Sequence, residues 1–406
     1  MNITLFVNRI VRELLNGQKG KSLVAIAGAW GTLVGSRMIY PVLLPHLRES
    51  FNLSLTVAGF LITILLLGSA LGQLPGGILA DRYSERLVMI ASAVIVAIAL
   101  GFVSIVPSPL LLFIATGAVG VGQSLYPIAR ITILSDIYPD HLGSALGVTM
   151  ATGDLGQTIL PPIAGVLAVA LTWQAGMTFL VPLLLLAAVC LWAVLPAKTS
   201  AGSSVTLSSA STTTLLSSLR QPNMAYMILI LFLYILTWHS FTGFFPTYLV
   251  QEKGMSSSSA SILFSAFFAF GIIVKPLSGA AYDRLGMRKS LIFVLLGPII
   301  GLGLLPLLTE FWALATATAL VSTMLGSGAI TQSFLADTFP RRVRGTGLGI
   351  IRTSVSAVGA TGPIVFGYIG DAGYFDEGYL ILAGILVVVV ILTINLPRQF
   401  SDQDEE

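Results

Sequence analysis

Six ionisable side chains stand inside long apolar runs of this 406-residue chain: Arg37, Arg130, Asp154, His239, Lys275 and Arg352. A charged side chain in hydrocarbon costs about 2.5–3.5 kcal/mol on insertion scales, so such residues default to function. They bind a charged solute, relay a proton or pair with one another. Asp154 is the only acid among them, against four Lys or Arg. Excess buried positive charge is compensated by water, by carbonyl oxygens or by an anion. The chemistry this set suggests is therefore recognition of an anion, with Asp154 placed to exchange a proton.

The composition makes those runs membrane spans. The chain is 55% hydrophobic and 10% charged, with mean hydropathy +0.92. Soluble domains carry about 25% charged residues. The net charge of +3 comes from basic residues scattered between apolar runs, which argues against a nucleic-acid partner. The single cysteine, Cys190, excludes an intramolecular disulfide and any multi-cysteine metal site. We find no nucleotide-binding loop, no His-Glu zinc motif and no nucleophile–base pairing in the polar loops, so neither an enzyme nor a cofactor is expected.

A span needs roughly 20 apolar residues. Twelve are predicted, at about 23–45, 55–80, 87–106, 110–135, 143–170, 175–195, 224–249, 259–281, 290–309, 312–336, 345–370 and 378–396. Residues 1–22 read as an amphipathic lead-in with Phe6, Ile10, Val11, Leu14 and Leu15 on one side, and no cleavable signal peptide. The Ser/Thr-rich segment 197–219 reads as a linker between an N-terminal half, 23–196, and a C-terminal half, 220–398, with 399–406 as a tail. With the N-terminus inside, the cytoplasmic loops and ends hold fifteen Lys/Arg, and the opposite side holds two, Arg48 and Lys253. The positive-inside rule then places both termini in the cytoplasm of a cell-membrane protein.

The two halves repeat. Gly77, Asp81, Arg82 and Arg86 recur 202 positions later as Gly279, Asp283, Arg284 and Arg288. Ser144-Ala-Leu-Gly147 recurs as Thr346-Gly-Leu-Gly349, Pro161 as Pro363, and Gly165 as Gly367. Two helices of one kind, half a chain apart, mean a duplicated membrane protein. The stretch around Asp81 resembles the loop signature of the major facilitator superfamily, Gly-x-Leu-Ala-Asp-Arg-x-Gly-Arg-Lys. Gly77, Leu79, Ala80, Asp81, Arg82 and Arg86 fit; Ser84 and Leu87 depart from it. The second copy restores the glycine as Gly286 and the basic pair as Arg288 and Lys289, but has Ala281-Tyr282 before its Asp. The resemblance implies an all-α fold of two pseudo-symmetric six-helix halves, with the first, fourth, seventh and tenth spans lining a central cavity. It also implies a latch in which Asp81 approaches the start of span eleven near Gly345 to Gly347, Arg82 or Arg86 meets Asp136, and Asp283, Arg284 or Arg288 meets Asp337.

Depth separates the buried charges. At 1.5 Å per residue, Arg37 and His239 lie roughly 21–22 Å from the cytoplasmic end of their spans and Asp154 about 17 Å, too deep to snorkel easily. Arg130, Lys275 and Arg352 lie only about 8–11 Å in by the same rise, within reach of headgroups or of a cytoplasm-facing cavity. Arg37 and His239 are themselves 202 apart. Tyr40 follows Arg37 by three, and Gln123, Tyr126 and Arg130 share one helical face. These residues, with His239, Lys275 and Arg352, are the expected substrate contacts, and Asp154 the expected proton carrier. The bland alternatives are an Arg37–Asp154 salt bridge, a His239 bonded to a backbone carbonyl, and an Arg130 anchored at the interface.

The stretches Gly72-Gln-Leu-Pro-Gly-Gly77 and Tyr126-Pro-Ile-Ala-Arg130 resemble the anion:cation symporter branch of that superfamily, whose members carry organic anions or phosphate. That branch often has Asp-Arg in its first span; here the pair is Ser36-Arg37. The expected function is therefore secondary transport of a small organic anion, with a co-transported proton or by exchange, by a monomer in a lipid bilayer. Gly147, Gly153, Gly156, Pro161, Pro162 and Gly165 also resemble a decayed drug-antiporter fifth-span motif. They support the alternative of a proton-driven exporter of lipophilic compounds, or, more simply, close helix packing. Against the exporter, Thr116 occupies the place of its span-four Arg. A transport-inactive sensor is a third reading, and the ten residues 397–406 are short for a signalling extension.

Overall fold

The computed structural model describes residue 14 and residues 16–196, 222–338 and 344–396, all as helices and short connections with no strand among them. Most of the lead-in, the linker 197–219 and the tail lie outside the described residues. The first half comprises α1 (Gly17–Phe51), α2 (Leu55–Leu71), α3 (Gln73–Arg82), α4 (Glu85–Val103), α5 (Pro109–Ser124), α6 (Tyr126–Ile137), α7 (Leu142–Ala170), α8 (Trp173–Thr178) and α9 (Leu180–Val194). The second comprises α10 (Pro222–Gln251), α11 (Ser257–Leu304), α12 (Phe311–Ser322), α13 (Ser327–Thr338), α14 (Arg344–Gly359), α15 (Gly362–Asp371) and α16 (Phe375–Ile394).

These helices make twelve spans because several spans are broken within the membrane. Span two is α2 and α3, parted at Gly72; span four is α5 and α6, parted at Leu125, just before the Pro127 that removes a backbone donor. In the second half a 3-10 turn, Thr323–Gly326, interrupts span ten, and span eleven breaks ahead of Pro363. Span one is longer than its hydropathy suggests: residues 17–22, expected in the lead-in, continue into α1, since nothing after Gly17 stops the helix. Lipid-facing side chains remain bare, Trp312 at 80% and Phe293 at 73% exposure. Exposed apolar surface on this scale needs a non-aqueous neighbour.

The two copies of the Asp–Arg stretch turn by different means. In the first, Ser84 is extended and its hydroxyl accepts from the Leu87 N–H at 3.1 Å, capping α4. In the second, Gly286 adopts φ +72° and the chain reverses inside what is otherwise one long helix, α11. The basic residues that follow share a task. Arg86 donates to the Trp192 carbonyl at the end of α9 and lies over the Trp192 ring. Arg288 donates to the Leu396 carbonyl just beyond α16. A helix C-terminus carries unpaired carbonyls and a partial negative charge, and a guanidinium satisfies both.

Two compact units emerge by contact: Met1–Val205 with Thr242–Ser265, and Thr206–Phe241 with Ala266–Glu406. The division at the linker thus differs from the contacts at one place. The end of α10 and the start of α11 pack with the first half, because Gly165 of α7 admits Ser261 so closely that an added Cβ would lie 2.4 Å from its hydroxyl. Within the first unit the tightest seam joins α1 to α7. A Cβ on Gly35 would meet the Gly156 carbonyl at 2.6 Å, and one on Gly156 would meet the Gly31 carbonyl at 2.0 Å. Small residues let helices touch backbone to backbone in lipid, where van der Waals packing drives association. That is what Gly31 and Gly156 do here, while Gly153 makes room for the Trp30 indole. Leu14, expected on the apolar side of the lead-in, is buried, and its carbonyl accepts from the Tyr138 hydroxyl at 2.8 Å.

The capping role predicts that Arg86→Ala destabilises the first unit by about 1–3 kcal/mol, the range of a charge-assisted hydrogen bond. Thermal unfolding of the detergent-purified protein should show a drop of several degrees with unchanged substrate affinity. An unshifted midpoint would mean that the Trp192 carbonyl gains nothing from Arg86.

Candidate functional site

The polar cluster of the first unit is centred on Gln123, at the last turn of α5 and 3% exposed. Its amide oxygen accepts from Arg37 Nε at 3.3 Å, and Ser69 of α2 contacts the same atom at 3.3 Å. Its amide nitrogen donates to Ser36 Oγ at 3.0 Å and to the Leu33 carbonyl at 3.3 Å. The orientation is unambiguous, since Arg37 can only donate and the Leu33 carbonyl can only accept. Ser36 in turn donates to Leu33 O at 2.7 Å. One amide therefore ties span one to span four and touches span two.

Among the described residues Arg37 makes no other hydrogen bond and no ion pair. A guanidinium has five donors, so four of its N–H groups remain uncommitted. The side chain is half-buried and its terminal nitrogens are not sealed off. Tyr40, expected to share this face, also lies against α5. It is fully buried, with its hydroxyl beside that of the equally buried Thr116 but outside hydrogen-bond geometry.

Arg130 is held differently. Its guanidinium carbon lies 3.9 Å from the centre of the Trp30 ring, a close cation–π contact, and Nη1 donates to Thr149 Oγ1 at 3.2 Å. Trp30 also stacks on Tyr126, with centroids 6.0 Å apart and planes 21° from parallel. The Tyr126 hydroxyl donates to the Ile26 carbonyl at 2.8 Å. On its other side the indole presses on Gly153, where a Cβ would lie 2.7 Å from Trp30 Nε1. Arg130 is 7% exposed, so it is a packed residue and not an interfacial anchor.

Asp154 is half-buried on α7 and accepts from Gln157 at 3.4 Å. It forms no ion pair with Arg37. In the second unit His239 on α10 and Lys275 on α11 are half-buried. Arg352 on α14 is exposed, with no hydrogen bond or ion pair among the described residues. The aromatics Trp238, Phe267 and Phe268 pack against one another here, and the Tyr234 hydroxyl donates to Met324 O at 2.9 Å.

The expected latch residues lie apart where they are described. Arg82 and Arg86 do not touch Asp136: Arg82 lies over Tyr83, and Arg86 is drawn to the Trp192 carbonyl. Asp283 and Arg284 are exposed, with no hydrogen bond or ion pair among the described residues, and Arg288 caps α16. Gly77 and Gly279 are half-buried; the side chains of Asp81 and Asp337 fall outside the described residues. Three participants escaped the sequence reading, namely Ser69, Thr149 and Trp30 as the brace of Arg130. A serine or threonine in an apolar run carries little signal alone, and only the α1–α6 contact pairs Trp30 with Arg130.

Two six-span repeats, helices broken in mid-membrane and a buried polar cluster between spans one, two and four define a membrane transporter fold. The chain belongs to the Major Facilitator Superfamily, whose family model matches residues 25–331 and 227–405. It is similar to the hexuronate transporter of Bacillus subtilis (strain 168), at 25% identity over 390 residues covering 87% of this chain and 89% of that one. A probable galactarate/D-glucarate transporter GudP of Escherichia coli (strain K12) is 32% identical over 177 residues, covering 41% of this chain and 38% of that one. Multidrug resistance protein MdtG of Citrobacter koseri (strain ATCC BAA-895 / CDC 4225-83 / SGSC4696) is 28% identical over 161 residues, 38% of this chain and 39% of that one. Among solved structures, nucleoside transporter NupG aligns with TM-score 0.80 at 14% identity, over 92% of this chain and 98% of that one. The family and these relatives are transporters, so the chain is a multi-pass membrane transporter and not an enzyme.

If Trp30 fixes the Arg130 guanidinium, Trp30→Ala should lower transport efficiency about tenfold, the equivalent of about 1.4 kcal/mol and within the range of a cation–π contact. Trp30→Phe should recover part of it, and Gly153→Ala should reproduce the loss from the opposite side. Uptake in proteoliposomes, with thermal unfolding to show that the variants fold, checks all three.

Proposed function

We propose that this transporter carries a small organic anion of the carboxylate type across the cell membrane by alternating access. The single observation that carries the reading is the uncommitted fork of Arg37, half-buried deep in span one and held only by a neutral amide. A guanidinium presents paired donors that match a carboxylate. Arg130, braced by Trp30 one helix away, supplies a second fixed positive charge. The hexuronate and galactarate/D-glucarate transporters among the relatives support a sugar acid as the substrate class. His239, Lys275 and Arg352 are the proposed contributions of the second half. Asp154 is the candidate proton carrier, both termini lie in the cytoplasm, and the chain acts as a monomer.

A proton-driven exporter of lipophilic compounds is the second reading, favoured by the partial match to the multidrug resistance proteins. Two observations weigh against it. Gly153 and Gly156 of span five are taken up by the packing against α1, and Thr116 leaves no cation in its part of span four.

In proteoliposomes, Arg37→Ala should abolish uptake of radiolabelled glucuronate, and Arg37→Lys should retain a fraction, since charge persists while the fork is lost. Stabilisation of the purified protein by carboxylates, and not by lipophilic cations, is expected in thermal unfolding. Normal glucuronate uptake by Arg37→Ala would sink the reading. Asp154→Asn tests the proton: gradient-driven uptake should fall while counterflow persists, and uptake that survives intact would make Asp154 structural.

A further inference from the structure

The N-terminal end of α1 and the C-terminal end of α9 enclose a groove of about 520 Å³, away from the polar cluster and within the first unit. Gln18 ties the two helices at one end of it, where its Nε2 donates to the Val194 carbonyl at 2.9 Å. At 1.5 Å per residue, Lys21 lies about 5 Å deeper than that tie along α1, Val24 about 9 Å deeper, and Cys190 about 6 Å deeper along α9. Val24, Ala25, Cys190 and Val194 give the groove apolar walls, and Lys21 is the one charged residue on it. Gly17 and Gly20 account for the space, since neither has a side chain to fill it. Val24 is 62% exposed. Lys21 is exposed too, with no hydrogen bond or ion pair among the described residues.

We propose that this groove holds one anionic phospholipid, its acyl chain against the apolar walls and its phosphate on Lys21. The proposal does not depend on the substrate of the transporter. Depth supports a lipid: the apolar run of span one begins at Leu23, so the groove crosses from headgroup level into hydrocarbon. A lysine at that level lays its stem along apolar surface and keeps its ammonium among the headgroups. Deeper in, walls of this kind offer water no polar partners, and an acyl chain fills the space instead. Charge selects the class of lipid. Lys19, also exposed, lies two residues from Lys21. The stretches that precede α1 and follow α9, residues 1–13 and 197–219, carry Arg9, Arg12 and Lys198 against one acid, Glu13. Such basic surroundings attract a net negative headgroup, whereas a zwitterionic one brings a cation of its own. The repeat sets the number. Asn223 stands 202 positions after Lys21, so the second half does not duplicate the charge.

The test offers the detergent-purified chain equal amounts of phosphatidylglycerol and phosphatidylcholine with matched acyl chains, and counts retained lipid by native mass spectrometry. The wild type should keep a single phosphatidylglycerol, favoured about fivefold over phosphatidylcholine, the scale of one basic residue near an anionic lipid. Lys21→Ala should abolish the preference. Ala25→Phe, which fills the groove and leaves both lysines in place, should abolish retention. Lys19→Ala should behave as the wild type, because Lys19 does not line the groove. Thermal unfolding without added lipid shows which variants fold, and Cys190→Phe serves in place of Ala25→Phe if that protein does not. Equal retention of the two lipids by the wild type would overturn the proposal. So would a folded Lys21→Ala protein that keeps the preference, or a Lys19→Ala protein that loses as much, which would reduce the effect to diffuse surface charge. A folded groove-filling variant that still retains phosphatidylglycerol would put the lipid elsewhere and overturn it as well.

Discussion

The hydrogen bond from Arg37 Nε to the Gln123 side chain carries more of this molecule than its 3.3 Å length suggests. A cation in a membrane protein needs compensation, and this one receives a dipole where a charge is expected. The amide is itself fixed by span one and span two, so the cation's position depends on how three spans pack. The glycine seam between α1 and α7 is part of that dependence. With the Gly31 and Gly156 backbones in contact, α1 cannot be displaced without opening the seam. The same helix also carries Trp30, which is trapped between Gly153 and Arg130.

The two cations of the first half are treated in opposite ways. Arg130 is nearly sealed, stacked on an indole and bonded to a hydroxyl, which costs it freedom and leaves its charge fixed in place. Arg37 keeps most of its donors open. A fixed charge raises the local potential for any anion, whereas an open fork can grip one. This division is what a site needs if it must both attract its solute and release it.

The repeat is a repeat of tasks as well as of residues. Arg86 and Arg288 close the last helix of their own half, although the turns that deliver them are built differently, by a serine cap in one copy and a positive-φ glycine in the other. Arg86 and Arg288 thus each hold the second-to-third span turn of their half to the end of its sixth span. Asp136, drawn from the sequence as their partner, competes poorly with a helix end that presents several unpaired carbonyls at once.

Hydropathy fixed the number of spans, because a hydrocarbon slab admits only runs of a given length whose backbone bonds are satisfied internally. The offset of 202 fixed the duplication, and the rarity of charge in apolar runs picked out Arg37, Arg130 and Asp154. None of this needs a third dimension, since each is a statement about residue type against position along the chain. What the sequence could not decide was which charges meet. An Arg37–Asp154 salt bridge was one reading of the sequence, yet Arg37 donates to the amide of Gln123 and the amide of Gln157 donates to Asp154. Tyr40, expected at the site, is buried in the core, and Trp30, which the sequence reading did not single out, braces Arg130. These outcomes follow from the rotation of each helix about its axis and from side-chain rotamers set by close packing. Residues far apart in the chain, joined by glycine seams and a single glutamine, determine both.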